Sequence, residues 1–123
     1  MKIYIAHSKK MNYEEELYKP LRQEESLKKH KLILPHEKSE TSSNDREFYK
    51  KIDLVIADCS EKGTGLGIEL GWAYDDGKKI YCIYQEEKNI GQSISKITSN
   101  IYSYKDTSEM VELIKNIITK ETN

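Results

Sequence analysis

The chain reads as one α/β domain built on a parallel sheet, and three observations predict it. Five short apolar runs alternate with longer charged segments of helical spacing, the order expected when strands are joined by crossover helices. At 123 residues the chain is long enough for one continuous core and too short for two. No apolar stretch approaches the length of a membrane span, so no membrane partner is expected. One domain is therefore expected over residues 1–123.

Residues 2–6 (KIYIA), 32–34 (LIL), 54–57 (LVIA), 80–84 (IYCIY) and 101–104 (IYSY) are rich in β-branched and aromatic side chains, and each reads as a strand. Between them, residues 13–29, 45–51, 67–74, 91–97 and 108–119 carry helical spacing. Pro20 falls inside the first of these segments, where it removes a hydrogen bond and crowds the preceding turn, so a kink or two shorter helices is expected. Thr41, Ser42, Ser43 and Asn44 offer N-caps for the helix carrying Asp45, Gly77 suits the end of the helix carrying Trp72, and Thr107 can cap the last helix. The whole order predicts a doubly wound, flavodoxin-like domain with a five-stranded parallel sheet. Such sheets bind ligands outside the carboxyl ends of their strands, which brings the loops at 6–10, 35–37 and 58–67 into one crevice.

A balance of 20 Lys and Arg against 21 Asp and Glu leaves a formal charge of −1, so no overall field favours nucleic acid or anionic lipid. The amino terminus, MKIYIAHSKK, has neither the h-region nor the cleavage site of a signal peptide, which predicts a cytoplasmic protein. Cys59 and Cys82 lack CxxC spacing and fall in or beside strands. Reduced, buried thiols are expected, and neither a disulfide nor a metal site.

The stretch DCSEKGTGLGIELGWA carries Gly63, Gly65 and Gly67 on the way from a strand into a helix, where backbone amides can approach an anion closely. It matches neither the dinucleotide GxGxxG nor the P-loop, because Lys62 precedes the glycines when a P-loop Lys follows them. Glu69 lies in the first turns of that helix, where an acid can simply complement the helix dipole. Its neighbours Ile68, Leu70, Trp72 and Ala73 favour another reading: an acid facing an apolar crevice is costly unless it acts as nucleophile, acid or base.

Together these residues resemble the nucleoside 2-deoxyribosyltransferase family, most closely its 2'-deoxynucleoside 5'-phosphate N-hydrolases. The resemblance rests on a strand leading into a Ser (KIYIAHSKK), an Asp eight positions before the Asp of DLVIAD, and a glycine segment closing on GIELG, and it extends to Gln92 and Ser93. It implies that Glu69 is the nucleophile that attacks C1' of the sugar, that Asp45 assists departure of the base and then delivery of water, and that the Tyr4 hydroxyl orients Glu69. His36 matches a His on the side of the sugar or base. Ser8, Lys10 and Ser93 match contacts to a 5'-phosphate, with Lys10 in place of an Arg. Gly63 stands where the hydrolases have a phosphate-binding Ser, with Thr64 adjacent, and Gly65 and Gly67 complete the phosphate-side segment. No cofactor is implied. The family also completes its sites across a subunit interface, with the Ser93 equivalent donated by the neighbour, so at least a homodimer is expected.

Each residue also has a plainer role open to it: a capping acid for Asp45, packing for Tyr4, an exposed loop position for His36, and ordinary surface for Ser8, Lys10 and Ser93. The function expected is an N-glycosidase that hydrolyses a nucleoside or deoxynucleoside 5'-monophosphate. The alternatives are a transferase that passes the sugar to a second base, a nucleotide-binding module without turnover, and more distantly a glycohydrolase of NAD type. The partner in all of them is a small nucleotide or nucleoside.

Overall fold

The apolar runs form one five-stranded, all-parallel sheet in the computed structural model, which describes residues 1–37 and 46–123. The strands are β1 (Lys2–His7), β2 (Lys31–Ile33), β3 (Leu54–Asp58), β4 (Lys79–Gln85) and β5 (Ile101–Tyr104), in the spatial order β2-β1-β3-β4-β5. This is the flavodoxin-like order, and its reversal point lies between β1 and β3. Those two strands pair from Ile3 opposite Leu54 to His7 opposite Asp58. The loops that leave their carboxyl ends therefore face each other.

The segment at 13–29 divides as Pro20 demands. A π-helical turn (Glu14–Tyr18) runs into α1 (Lys19–Gln23), with Pro20 in the first turn of α1, where its missing N–H has no helical partner to lose. A 3-10 turn (Glu25–Leu27) then leads to β2. Helix α2 spans Arg46–Tyr49. Asp45 and the cap candidates Thr41, Ser42, Ser43 and Asn44 lie outside the described residues.

Three expectations need correction. Helix α3 (Thr64–Asp75) begins before residue 67, so Gly65 and Gly67 belong to its first turns and not to a loop. Residues 91–97 form only a 3-10 turn (Ser93–Lys96). Helix α4 (Thr107–Thr122) is capped by Asp106, whose carboxylate accepts from the Glu109 amide at 2.9 Å. Asp106 has extended backbone and an ionised acceptor, which cap better than the Thr107 hydroxyl one residue later. Gly77 ends α3 in the left-handed region (φ +70°), as its position predicts.

Alternation along each strand splits the core into two layers. On one face Ile3, Ile5, Leu54, Ile56 and Ile83 pack against α1 and the apolar stripe Met110, Ile114, Ile117 and Ile118 of α4. On the other Tyr4, Ala6, Val55, Ala57 and Cys82 pack against Tyr49 of α2 and Leu66, Leu70 and Ala73 of α3. Cys59 and Cys82 are free and buried in this second layer. At the end of β3, buried Asp58 accepts from the Tyr104 hydroxyl and from the Ser60 amide, and the Ser60 hydroxyl accepts from the Gln85 amide. These bonds tie the start of the glycine segment to the ends of β4 and β5.

Candidate active site

A cavity of about 460 Å³ opens at the carboxyl ends of β1 and β3, a size suited to a nucleotide-sized ligand. His7, Ser8, Lys9 and Lys10 line it from the end of β1, Pro35 and His36 from the end of β2, and Gly63, Thr64, Gly65, Leu66, Ile68, Glu69 and Trp72 from α3. The period of 3.6 puts Leu66 and Leu70 into the core and leaves Glu69 at the edge of that apolar layer.

Tyr4, on the second face of β1, is fully buried, and its hydroxyl donates to Glu69 Oε2 at 2.9 Å. One carboxylate oxygen is thus held by Tyr4 at the edge of the cavity. Burial pushes the Glu69 carboxyl above its ordinary range, while the Tyr4 hydroxyl and the Lys9 ammonium draw it back. Burial and the same carboxylate push the Tyr4 phenol strongly upward, so Tyr4 remains a donor.

Ser8 is 3% exposed, and its hydroxyl is engaged within the loop. It donates to the Lys62 carbonyl at 3.1 Å and accepts from the Lys10 amide at 3.1 Å. This clasp fixes the β1 loop against the glycine segment and explains Gly63: a Cβ at that position would meet Ser8 Oγ at 2.7 Å. At Gly65 and Gly67 a Cβ would meet open space. Gly63 caps α3 with no side-chain bond, so among the described residues the first amides of this 12-residue helix have no side-chain partners, and they lie beside Lys9, Lys10 and Thr64. That corner suits an anion.

His36 lies across the cavity in an aromatic cluster, 5.4 Å between ring centroids from His7 and 5.3 Å from Tyr13. The His7 Nδ1–H donates to the Ser8 carbonyl at 3.0 Å, and Nε2 faces the Tyr18 hydroxyl at 2.7 Å. Burial holds the imidazole neutral by lowering its pKa, so Nε2 accepts from Tyr18, which in turn accepts from the His36 amide at 3.0 Å. The loops after β1 and β2 are locked together by this chain.

Of the residues expected at the site, Glu69, Tyr4, Ser8, Lys10, His36, Gly63, Thr64 and Gly65 come together around the cavity or its floor. Gly67 and Ser93 do not: they line an adjoining depression beyond Lys62 and Leu66, with Ile90, Gly91 and Ile94. His7, Lys9, Trp72 and Tyr49 were missed. Trp72 follows Glu69 by three residues, a helical spacing that places it on the same side. His7 is the residue on which the first apolar run ends.

No protein-family model matches the sequence, and no curated protein matches it. Solved structures do. The CMP N-glycosidase BcmB of Clostridium botulinum superposes with a TM-score of 0.64 and 25% identity, over 94% of this chain and 99% of that one. The chain is similar throughout to a nucleotide N-glycosidase. A conserved protein of Enterococcus faecalis V583 shares the fold, with a TM-score of 0.63 and 20% identity over 94% of this chain and 98% of that one. The likeness is consistent with a nucleoside 2-deoxyribosyltransferase-like family and supports nucleotide N-glycosidase activity at the level of the fold.

Proposed function

We propose that the protein hydrolyses the base–sugar bond of a nucleoside or deoxynucleoside 5'-monophosphate through a covalent glycosyl-Glu69 intermediate. The observation that carries this reading is the Tyr4–Glu69 pair, a partly desolvated carboxylate held by one oxygen at the floor of a nucleotide-sized cavity. A Glu69 carboxylate oxygen attacks C1', the C1'–N bond breaks, and the base leaves with a proton from Asp45. Asp45 then takes a proton from water, the water oxygen bonds to C1', and the ester to Glu69 breaks. The sugar phosphate leaves with Glu69 regenerated. Lys9, Lys10, Thr64 and the first amides of α3 would hold the phosphate.

We also propose that the protein works as at least a homodimer. Ile68 and Tyr74 are 49% and 57% exposed on α3, beside Gly67 and Gly71, which supports a second copy packing on that helix. Ser93 lines a depression other than its own cavity, which agrees with its donation to a neighbour's site.

The test is chromatography of ribo- and deoxyribonucleosides and their 5'-monophosphates, led by CMP and dCMP, with and without added free base. Free base released from a monophosphate by the parent and not by Glu69→Ala is the expected result. A new nucleoside formed from the added base would make the protein a transferase. Ligand-induced stabilisation without product would make Glu69 a binding group and overturn the hydrolase reading.

A further inference from the structure

The second layer of the core holds a hydroxyl with no evident task. Tyr49 is fully buried, and its Oη has no hydrogen-bond partner among the described residues. Leaving such a group unsatisfied is destabilising, and a Phe of the same shape would avoid that penalty. Its ring is clamped on three sides: 5.0 Å from Tyr4 at 65°, 5.8 Å from Phe48 at 90° and 5.6 Å from Trp72 at 58°. Tyr4 bonds Glu69, and Trp72 lies one helical turn beyond it, so the ring is packed between the two residues that flank the carboxylate.

Two acceptors lie on that side of the ring among the described residues, the Tyr4 hydroxyl oxygen and the Glu69 carboxylate, and the carboxylate is the stronger of the two. The neighbours of Tyr49 in this layer are apolar or aromatic, and Glu69 is the one carboxylate lining the cavity among the described residues. The other buried carboxylate, Asp58, is already taken by Tyr104 and Ser60. Helix α2 is described over Arg46–Tyr49, and Arg46 anchors it to the end of α3 through Asp75 at 2.6 Å and through Asp76. A helix tied in this way holds the Tyr49 ring against Tyr4.

We propose that Tyr49 is a positioning residue for Glu69, its buried hydroxyl serving as the second donor that holds the carboxylate ionised and oriented for attack. This rests on Glu69 being the nucleophile. With Tyr4 alone the carboxylate can rotate about its single bond. A second donor from α2 stops that rotation and offsets part of the burial that favours the neutral acid. Among the described residues, the charged and titratable groups around Glu69 are Tyr4 from β1, Tyr49 from α2 and Lys9 from the loop after β1, with Lys10, His36 and His7 lining the same cavity.

The experiment is carbon-13 carboxyl NMR titration of Glu69 in the parent, Tyr49→Phe and Tyr4→Phe proteins, alongside pH–rate profiles on whichever monophosphate the parent cleaves. Tyr4→Phe calibrates the loss of one hydroxyl bond. In Tyr49→Phe the Glu69 midpoint is expected to rise by roughly half to one pH unit. The acid limb of kcat/KM should move up with it, and kcat should fall by about tenfold with KM little changed. A midpoint and profile that stay put while the melting temperature rises would overturn the proposal, because that is the response of an unsatisfied hydroxyl kept only for its ring. The titration needs no turnover, so a parent inactive on every substrate would defeat the hydrolase reading and leave this test readable.

Discussion

The two faces of β1 obey different rules. Ile3 and Ile5 point into an aliphatic layer with α1 and α4, whereas Tyr4 and Ala6, between them in sequence, point into a layer that also holds Tyr49, Ala57, Ala73, Cys59 and Cys82. The first layer is built from large branched side chains and carries stability. The second mixes small residues with tyrosines, and the small ones leave room for a phenol to reach across and hold a carboxylate at its edge. One strand thus supports the fold with its odd residues and the candidate chemistry with its even ones.

The comparison breaks most sharply if the two layers are cut separately. Ile5→Ala should lower stability by about 3 kcal/mol, and the melting temperature by roughly 10 °C, with activity per folded molecule retained. Glu69→Gln should do the opposite, lowering kcat by roughly 10³-fold or more while raising the melting temperature a few degrees. The sign follows from the raised pKa of Glu69: an acid harder to ionise when folded costs stability as pH rises above its ordinary value of 4.5. The gain should therefore be present at neutral pH and fade below that value. A Glu69→Gln protein less stable than its parent at pH 7 would mean that the carboxylate is part of the scaffold.

Smaller effects sharpen the boundary between the layers. Gly63→Ala forces a Cβ against the Ser8 hydroxyl and should cost about 1–2 kcal/mol. In a Ser8→Ala background at least half of that cost should disappear, a coupling that a double-mutant cycle of denaturation midpoints would read. Strict additivity would rule out the close approach as the reason for the glycine.

The smallest effect concerns His7, which closes β1 on the aliphatic side. Its pKa lies below the ordinary 6.5, mainly through burial, so the stability it lends is complete above that value and is lost as pH falls through it. Between pH 7 and 5 the parent should lose more melting temperature than His7→Asn. His36 titrates in both proteins and cancels in the difference. Parallel curves would show that His7 is not held neutral by the fold.

Much of this was legible in the residues. All five strands, their parallel order and the placing of Glu69 near the β3–α3 junction followed from periodicity, because burial on one face of a strand or helix leaves a repeating trace. Helix ends were less legible. The helical reading began at Gly67 and left Gly65 in the loop, yet α3 begins at Thr64, because the packing of Leu66, Leu70 and Ala73 on the sheet outweighs the low helix propensity of glycine. Ser93 shares a helical segment with no periodic apolar face of any length, and only a short turn formed there.

By itself, the order of apolar and charged segments determined the fold class, and the glycine segment with its apolar neighbours singled out a carboxylate beside the β3–α3 junction. The family resemblance also named the Tyr4 hydroxyl, but only the tertiary structure shows it bonded to Glu69. Tyr4 and Glu69 are 65 residues apart. No local pattern records such an encounter, because it depends on the strand register. Ser8 tells the same story: in sequence it is a free hydroxyl near two lysines, but folding engages it with the Lys62 carbonyl and the Lys10 amide. Local sequence sets where each side chain points along its own element, and the packing of distant elements sets what it meets.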